Sequence, residues 1–246
     1  MRTFFRCVQA DLLKARHTFL PLIHVFVPLG VAALFLGYYA MSNWNEASEL
    51  SVYFEVIGGA FPIVIGLLCA KAADLEAEAG SFQTLLSSTV SRGTTWLGAL
   101  FALLLAAAFS VALAVGTFGA GFCTAPAQLY VYAALLLIGG SVFLYILHLF
   151  VAFRFGGGAS IGLGIAEMLI AFLALTGLGD GVWYYIPCTW GARLSASLVS
   201  AWADPGSAVW GFEIRKGLLT AGGFTLLALF LSLVWFSRWE GRKNAE

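Results

Sequence analysis

The 246-residue sequence has little charge. Thirteen Lys and Arg and thirteen Asp and Glu make up 11% of the chain and 61% is hydrophobic, whereas soluble domains carry about 25% charged residues. A soluble globular fold is excluded, and with a mean hydropathy of +0.90 the chain reads as an integral membrane protein. The net charge is zero, which argues against nucleic acid as a partner, since phosphate neutralisation needs a basic patch. The four cysteines, Cys7, Cys69, Cys123 and Cys188, stand in no CxxC or Cys/His spacing, so no metal or redox motif is present. A Cys123–Cys188 disulfide is one reading; small apolar fillers is the plainer one. There is no Gly-x-x-x-x-Gly-Lys-(Ser/Thr) run to cradle a nucleotide phosphate, and Gly156-Gly157-Gly158 lacks the Lys and Ser/Thr in register. That triplet reads as a tight turn. His-Glu-x-x-His and paired in-membrane aspartates are also lacking, and His148 and Glu167 are the residues singled out for chemistry inside the membrane.

What remains is hydrocarbon in spans of about 20 residues. Residues 1–18 carry Arg2, Arg6, Lys14 and Arg16 with Phe4, Phe5, Val8, Leu12 and Leu13 at helical spacing, which predicts an amphipathic helix on the membrane surface. Six apolar spans follow, over 19–41, 52–70, 94–118, 128–153, 159–179 and 217–236. Residues 43–51 read as a polar loop. Placing the N-terminus inside leaves only Arg193, Arg215 and Lys216 outside, while Arg2, Arg6, Lys14, Arg16, Lys71, Arg92, Arg154, Arg238, Arg242 and Lys243 fall inside. The positive-inside rule selects that orientation, with both termini cytoplasmic. The expectation is an all-α polytopic membrane protein forming a single transmembrane domain over 1–246.

Two segments depart from plain spans. Residues 180–213 carry Trp183, Tyr184, Tyr185, Trp190, Trp202 and Trp210. They read either as an interfacial re-entrant or amphipathic segment or as a contact surface for an amphiphile. The cytoplasmic stretch 71–92 combines Asp74, Glu76, Glu78 and Gln83 with Leu75, Phe82, Leu85 and Leu86, and breaks at Gly80. A short helix at the membrane edge, with Ser87 or Ser91 as a cap, is expected there. It is either a solvated inner loop or a docking element.

The run Glu-Ala-Glu-Ala-Gly-Ser-Phe-Gln-Thr-Leu-Leu-Ser-Ser-Thr-Val-Ser-Arg, together with six spans and an amphipathic N-terminal helix, resembles the type-2 ABC transporter permeases. The matching positions are Glu76 or Glu78, Gly80, Ser81, Phe82, Leu85, Leu86, Val90, Ser91 and Arg92, with Thr89 where that pattern usually has proline. The short length and the Gly-Ser-Phe-Gln variant are most similar to lantibiotic-immunity permeases. The resemblance implies a bacterial cytoplasmic membrane location and coupling of the 71–92 helix to a cytoplasmic ABC ATPase dimer. It implies a second permease subunit, identical or related, and export of an antimicrobial peptide. It places ATP and Mg in the partner, with no cofactor and no catalytic residue in this chain. Other amphiphiles, such as drugs or lipids, are the alternative cargo.

Glu167 lies about 12 Å into the fifth span and His148 about 9 Å from Arg154 along the fourth, at about 1.5 Å per residue. A carboxylate at that depth must face protein or water, or hold a proton. A Glu167–His148 or Glu167–Arg154 pair is expected, either as a gate near the substrate path or as a packing hydrogen bond that fixes helix register. The readings that compete with an ATP-driven permease are an intramembrane enzyme and a secondary carrier, the latter calling for repeats with matching broken helices.

Overall fold

The computed structural model describes residues 2–80 and 82–242; Ser81 and Lys243 lie outside the described residues. Among these there is no strand, and the helices are α1 (Arg2–Arg16), α2 (Leu20–Tyr39), α3 (Glu46–Glu78), α4 (Gln83–Leu86), α5 (Arg92–Phe122), α6 (Ala127–Phe155), α7 (Gly157–Ala174), α8 (Trp190–Ala203) and α9 (Ala208–Arg238). Six of them, α2, α3, α5, α6, α7 and α9, are long and apolar enough to cross a membrane. The chain is therefore an all-α polytopic protein.

Capping explains why α3 outruns its predicted span at the start. Asn45 accepts from the Ser48 N–H at 2.8 Å, and Glu46 and Glu49 occupy the first turn, where a helix favours negative charge. The expected loop at 43–51 thus holds the first turns of α3. At the other end α3 continues to Glu78, so the expected surface helix within 71–92 is reduced to the four residues of α4. Ser91, one of the two expected caps, accepts from Thr94 N–H at 3.3 Å and opens α5.

Close packing holds the centre together through small residues. A Cβ added at Gly164 would lie 2.6 Å from the Pro62 carbonyl, and one at Gly66 2.7 Å from that of Ser160. The backbones of α3 and α7 therefore touch, as small residues permit between membrane helices. α6 and α7 are separated only by Gly156, whose φ of 101° suits a residue without Cβ.

The fifth span ends at Ala174, short of the expected 179, and the outer segment is not a surface loop. It descends through two short 3₁₀ turns, Trp183–Tyr185 and Pro187–Thr189, then runs as α8 in the space beyond the end of α7. Arg193 on α8 donates to the carbonyls of Ala174 and Thr176 (the latter at 3.1 Å) and pairs with Asp180 at 2.9 Å. Those bonds cap α7. A Cβ on Gly58 would sit 2.4 Å from the Ala192 nitrogen, and one on Gly140 2.7 Å from that of Gly191. Gly58 lies about 18 Å along α3 from Glu46 at about 1.5 Å per residue, so α8 is wedged well inside the bundle between α3 and α6. At 14 residues it is too short to register as a span.

At the Arg-rich end of the bundle α1 lies across α5. Val8 is buried, Phe4 meets Phe101 with ring centroids 5.6 Å apart, and a Cβ on Gly98 would reach within 2.8 Å of that of Cys7. The exposed Phe5, Leu12 and Leu13 give it the amphipathic form expected of residues 1–18.

Candidate functional site

Two constellations carry the polar chemistry, one on the surface at the Arg-rich end and one buried among α3, α6 and α7. The first is the turn from Glu78 to Arg92. α3 stops where Gly80 takes φ 116° and Phe82, unusually for a residue with a side chain, takes φ 69°. The Phe82 N–H bonds to the Glu76 carbonyl at 3.2 Å and that of Gln83 to Gly80 at 2.9 Å, which fixes the reversal. The Phe82 ring is 3% exposed, packed on Trp239 (5.0 Å) and Phe153 (5.6 Å), with the Arg242 guanidinium over it at 5.7 Å. Leu85 and Leu86 pack against the same core. Phe82, expected at a docking face, is thus the anchor of the turn. What it holds out to solvent is Glu78, Gln83 and the polar run Ser87-Ser88-Thr89.

The other predicted coupling residues are tied within the chain. Glu76 pairs with Lys14 of α1, which also reaches Asp11 at 3.2 Å. Glu78 lies 3.6 Å from Lys71 with its side chain 67% exposed. Arg92 donates to the carbonyls of Ser237 (3.4 Å) and Trp239 at the end of α9, neutralising a helix C-terminus. Burial pushes the Asp11 carboxyl up from its ordinary range, against the pull of Lys14. Burial also opposes the Lys14 charge, but hydrogen bonds and the fields of Glu76 and Asp11 prevail and hold the ammonium above its ordinary value.

The second constellation is Glu167–His148–Ser160. Of the two predicted partners Glu167 takes His148, with Oε2 2.8 Å from Nε2; Arg154 is exposed, its guanidinium 5.3 Å from the Phe155 ring. Ser160 was missed by sequence reading. It stands in the run Gly158-Ala159-Ser160-Ile161-Gly162, a Gly-x-Ser-x-Gly pattern, and its Oγ lies 3.0 Å from His148 Nδ1. A serine, histidine and carboxylate in one chain of hydrogen bonds invites comparison with a hydrolytic triad. The proton count points elsewhere. Ser160 Oγ is also 3.0 Å from the Gly66 carbonyl, which can only accept, so the hydroxyl proton is committed there and Nδ1 donates to Oγ. One further proton then bridges Nε2 and Oε2, and the couple is net neutral whichever atom holds it. Ser160 and His148 are fully buried and Glu167 is 8% exposed. The trio joins three helices and offers no activated nucleophile.

The outer aromatics divide. Trp183, Tyr184 and Trp190 are buried; Trp190 donates to the Tyr184 carbonyl at 2.9 Å, Trp183 to Glu213 at 3.2 Å, and Lys216 sits 3.8 Å from the Tyr184 ring centroid. They cement the entry to α8 against α9. Tyr185 is exposed, and Trp202 and Trp210 are half-buried. All four cysteines are free, Cys188 buried and Cys123 exposed, so the disulfide reading gives way to the plainer one.

A cavity of about 570 Å³ opens between α1, α2 and α5 at the Arg-rich end. Leu20, Pro21, Leu103, Ala106 and Phe109 give it an apolar interior, and Asp11, Lys14, Arg16 and Glu76 line it as well. Among the described residues no group of three His, Cys, Asp or Glu is placed to hold a metal ion. No family model, no curated protein and no solved structure matches this chain.

Proposed function

We propose that this multi-pass membrane protein is the permease subunit of an ATP-driven exporter in a bacterial cytoplasmic membrane. The observation that carries the reading is the turn at 78–92: a buried aromatic anchor beneath an exposed polar ridge, set between two long helices. Such a ridge is a handle through which a partner can move α3 and α5 together. The absence of a Walker A motif in the chain leaves ATP and Mg to that partner, an ABC ATPase dimer, and the chain itself is not the enzyme. A second permease subunit, identical or related, completes the assembly. The cargo is an amphiphile, with a cationic antimicrobial peptide as the leading candidate. An apolar cavity lined at one end by charged side chains suits a molecule of that kind.

The test is to mutate the ridge and spare its anchor. Glu78→Lys reverses one charge and Gln83→Glu adds another on exposed side chains, while Phe82 stays in place. Expected are normal membrane abundance and an unchanged melting temperature, with loss of ATPase co-purification and of resistance to the peptide. Retention of both by the variant would remove the ridge from the mechanism.

A further inference from the structure

Four cations at the Arg-rich end are held by partners within the chain. Lys14 is held by Asp11 and Glu76, Lys71 by Glu78, Arg92 by two carbonyls at the end of α9, and Arg242 by the Phe82 ring. Among the described residues Arg2, Arg6 and Arg16 of α1 are exposed and outside any ion pair; Arg154, whose guanidinium meets the Phe155 ring at 5.3 Å, and Arg238 differ from these in sharing one groove. Both are exposed, and among the described residues neither is in an ion pair. They occupy the last turns of adjacent helices, α6 and α9, and line one groove of about 580 Å³ with Leu231, Val234, Trp235, Trp239 and Glu240.

We propose that this groove binds the phosphate of an anionic glycerophospholipid, with an acyl chain lying along α9 below it. Two guanidiniums offer planar forks of donors that match phosphate oxygens bidentately. Apolar surface continues directly from them: Leu231 is 54% and Val234 37% exposed, on the helix face that looks away from the core. Tryptophan flanks the site, as at membrane interfaces generally. Among the described residues the Trp239 indole N–H is buried with no acceptor. Among the described residues Glu240 is the one carboxylate in the lining, so these side chains carry one net positive charge, which a single phosphodiester neutralises. Basic pockets between helix ends on the inner side are the places where anionic headgroups settle. The plainer account, in which both arginines merely complement the dipoles of their own helices, requires no stoichiometric lipid.

The experiment is native mass spectrometry of the purified full chain, delipidated in detergent and titrated with phosphatidylglycerol, phosphatidylcholine or inorganic phosphate. Two doubly substituted proteins serve as variants, Arg154→Gln with Arg238→Gln in the groove and Arg2→Gln with Arg6→Gln on exposed α1 as an equal charge loss elsewhere. One phosphatidylglycerol is expected to bind the wild type about tenfold tighter than it binds the groove variant, with the α1 variant unchanged. Phosphatidylcholine should bind weakly and inorganic phosphate should not bind. If the groove variant proves unstable, Arg238→Gln alone, on the exposed last turn of α9, should weaken binding about threefold. Equal phosphatidylglycerol binding by wild type and groove variant overturns the site, as does an equal loss in the α1 variant. Inorganic phosphate bound as firmly as the lipid overturns the lipid assignment, and phosphatidylcholine bound as firmly overturns the charge argument.

Discussion

Glu167 offers the sharpest test of the proton arithmetic. In the buried trio Nδ1 of His148 donates to Ser160, so Nε2 meets Glu167 across a single shared proton. Glu167→Gln places an amide N–H where that proton was, and every group stays satisfied without charge. Interhelical hydrogen bonds in membranes average about 0.6 kcal/mol, and the cost should be of that order. Glu167→Leu fills the space but leaves Nε2 buried without a partner, a loss of about 1–3 kcal/mol. Since about 1 kcal/mol moves the melting temperature of a chain this size by about 2–4 °C, the Gln variant should melt within about 3 °C of wild type and the Leu variant several degrees lower. Adding His148→Leu to Glu167→Leu removes both partners together and should recover part of the loss, since Ser160 keeps its bond to Gly66. The assay is a thermal ramp in detergent with a thiol-reactive dye, which reports release of the buried Cys69 and Cys188. If the Gln variant melts as low as the Leu variant, the site needs a charge and not a hydrogen bond, and the reasoning fails. Simple addition of the two Leu losses would refute it equally.

Further outcomes follow from other contacts. Gly58→Ala puts a methyl 2.4 Å from the Ala192 nitrogen. Backbone cannot yield there, so a loss above about 3 kcal/mol is expected, whereas Gly116→Ala, with nothing within 4 Å, should be neutral or slightly stabilising; similar melting of the two would show that α8 is not wedged there. The Ser160 hydroxyl, committed to Gly66 and fully buried, should stay unlabelled by a fluorophosphonate probe in the folded protein; labelling would reopen the hydrolytic reading. Because the Lys14 ammonium is held above its ordinary value of 10.5, its contribution to docking α1 is complete below that value and is lost as pH climbs through the higher folded value. A nitroxide on the exposed Gln9 should show constant mobility from pH 7 to about 10 and loosen only above that, with Lys14→Met flattening the profile. The size is about 1 kcal/mol or less at so open a pair, and a transition centred below pH 8 would exclude Lys14 as its source.

The six crossings and the surface helix were legible because hydropathy over about 20 residues is a strong signal. Helix ends were less so: α3 extends to Glu46 because Asn45 and two glutamates stabilise its first turn, and local polarity there reads equally as a loop. α8 escaped notice because 14 residues of mixed character with Ser195, Ser197 and Arg193 look like an outer loop until Gly58 and Gly140 are seen to make room for them. The Glu167–His148 pair could be anticipated from depth along two helices. Ser160 could not be placed by depth, although its Gly-x-Ser-x-Gly setting was a signal available in the sequence. For Phe82, residue type alone does not separate an aromatic that docks from one that anchors; the left-handed φ at 82 turns the ring inward.

Whether the 78–92 ridge meets an ATPase is decided by purifying the protein from its native membrane without overexpression and identifying the chains that accompany it. A stoichiometric cytoplasmic ATPase is expected, with a second six-span subunit if the membrane pair is of unlike chains. Purification with no ATPase, under conditions that keep the protein folded and active, would contradict it.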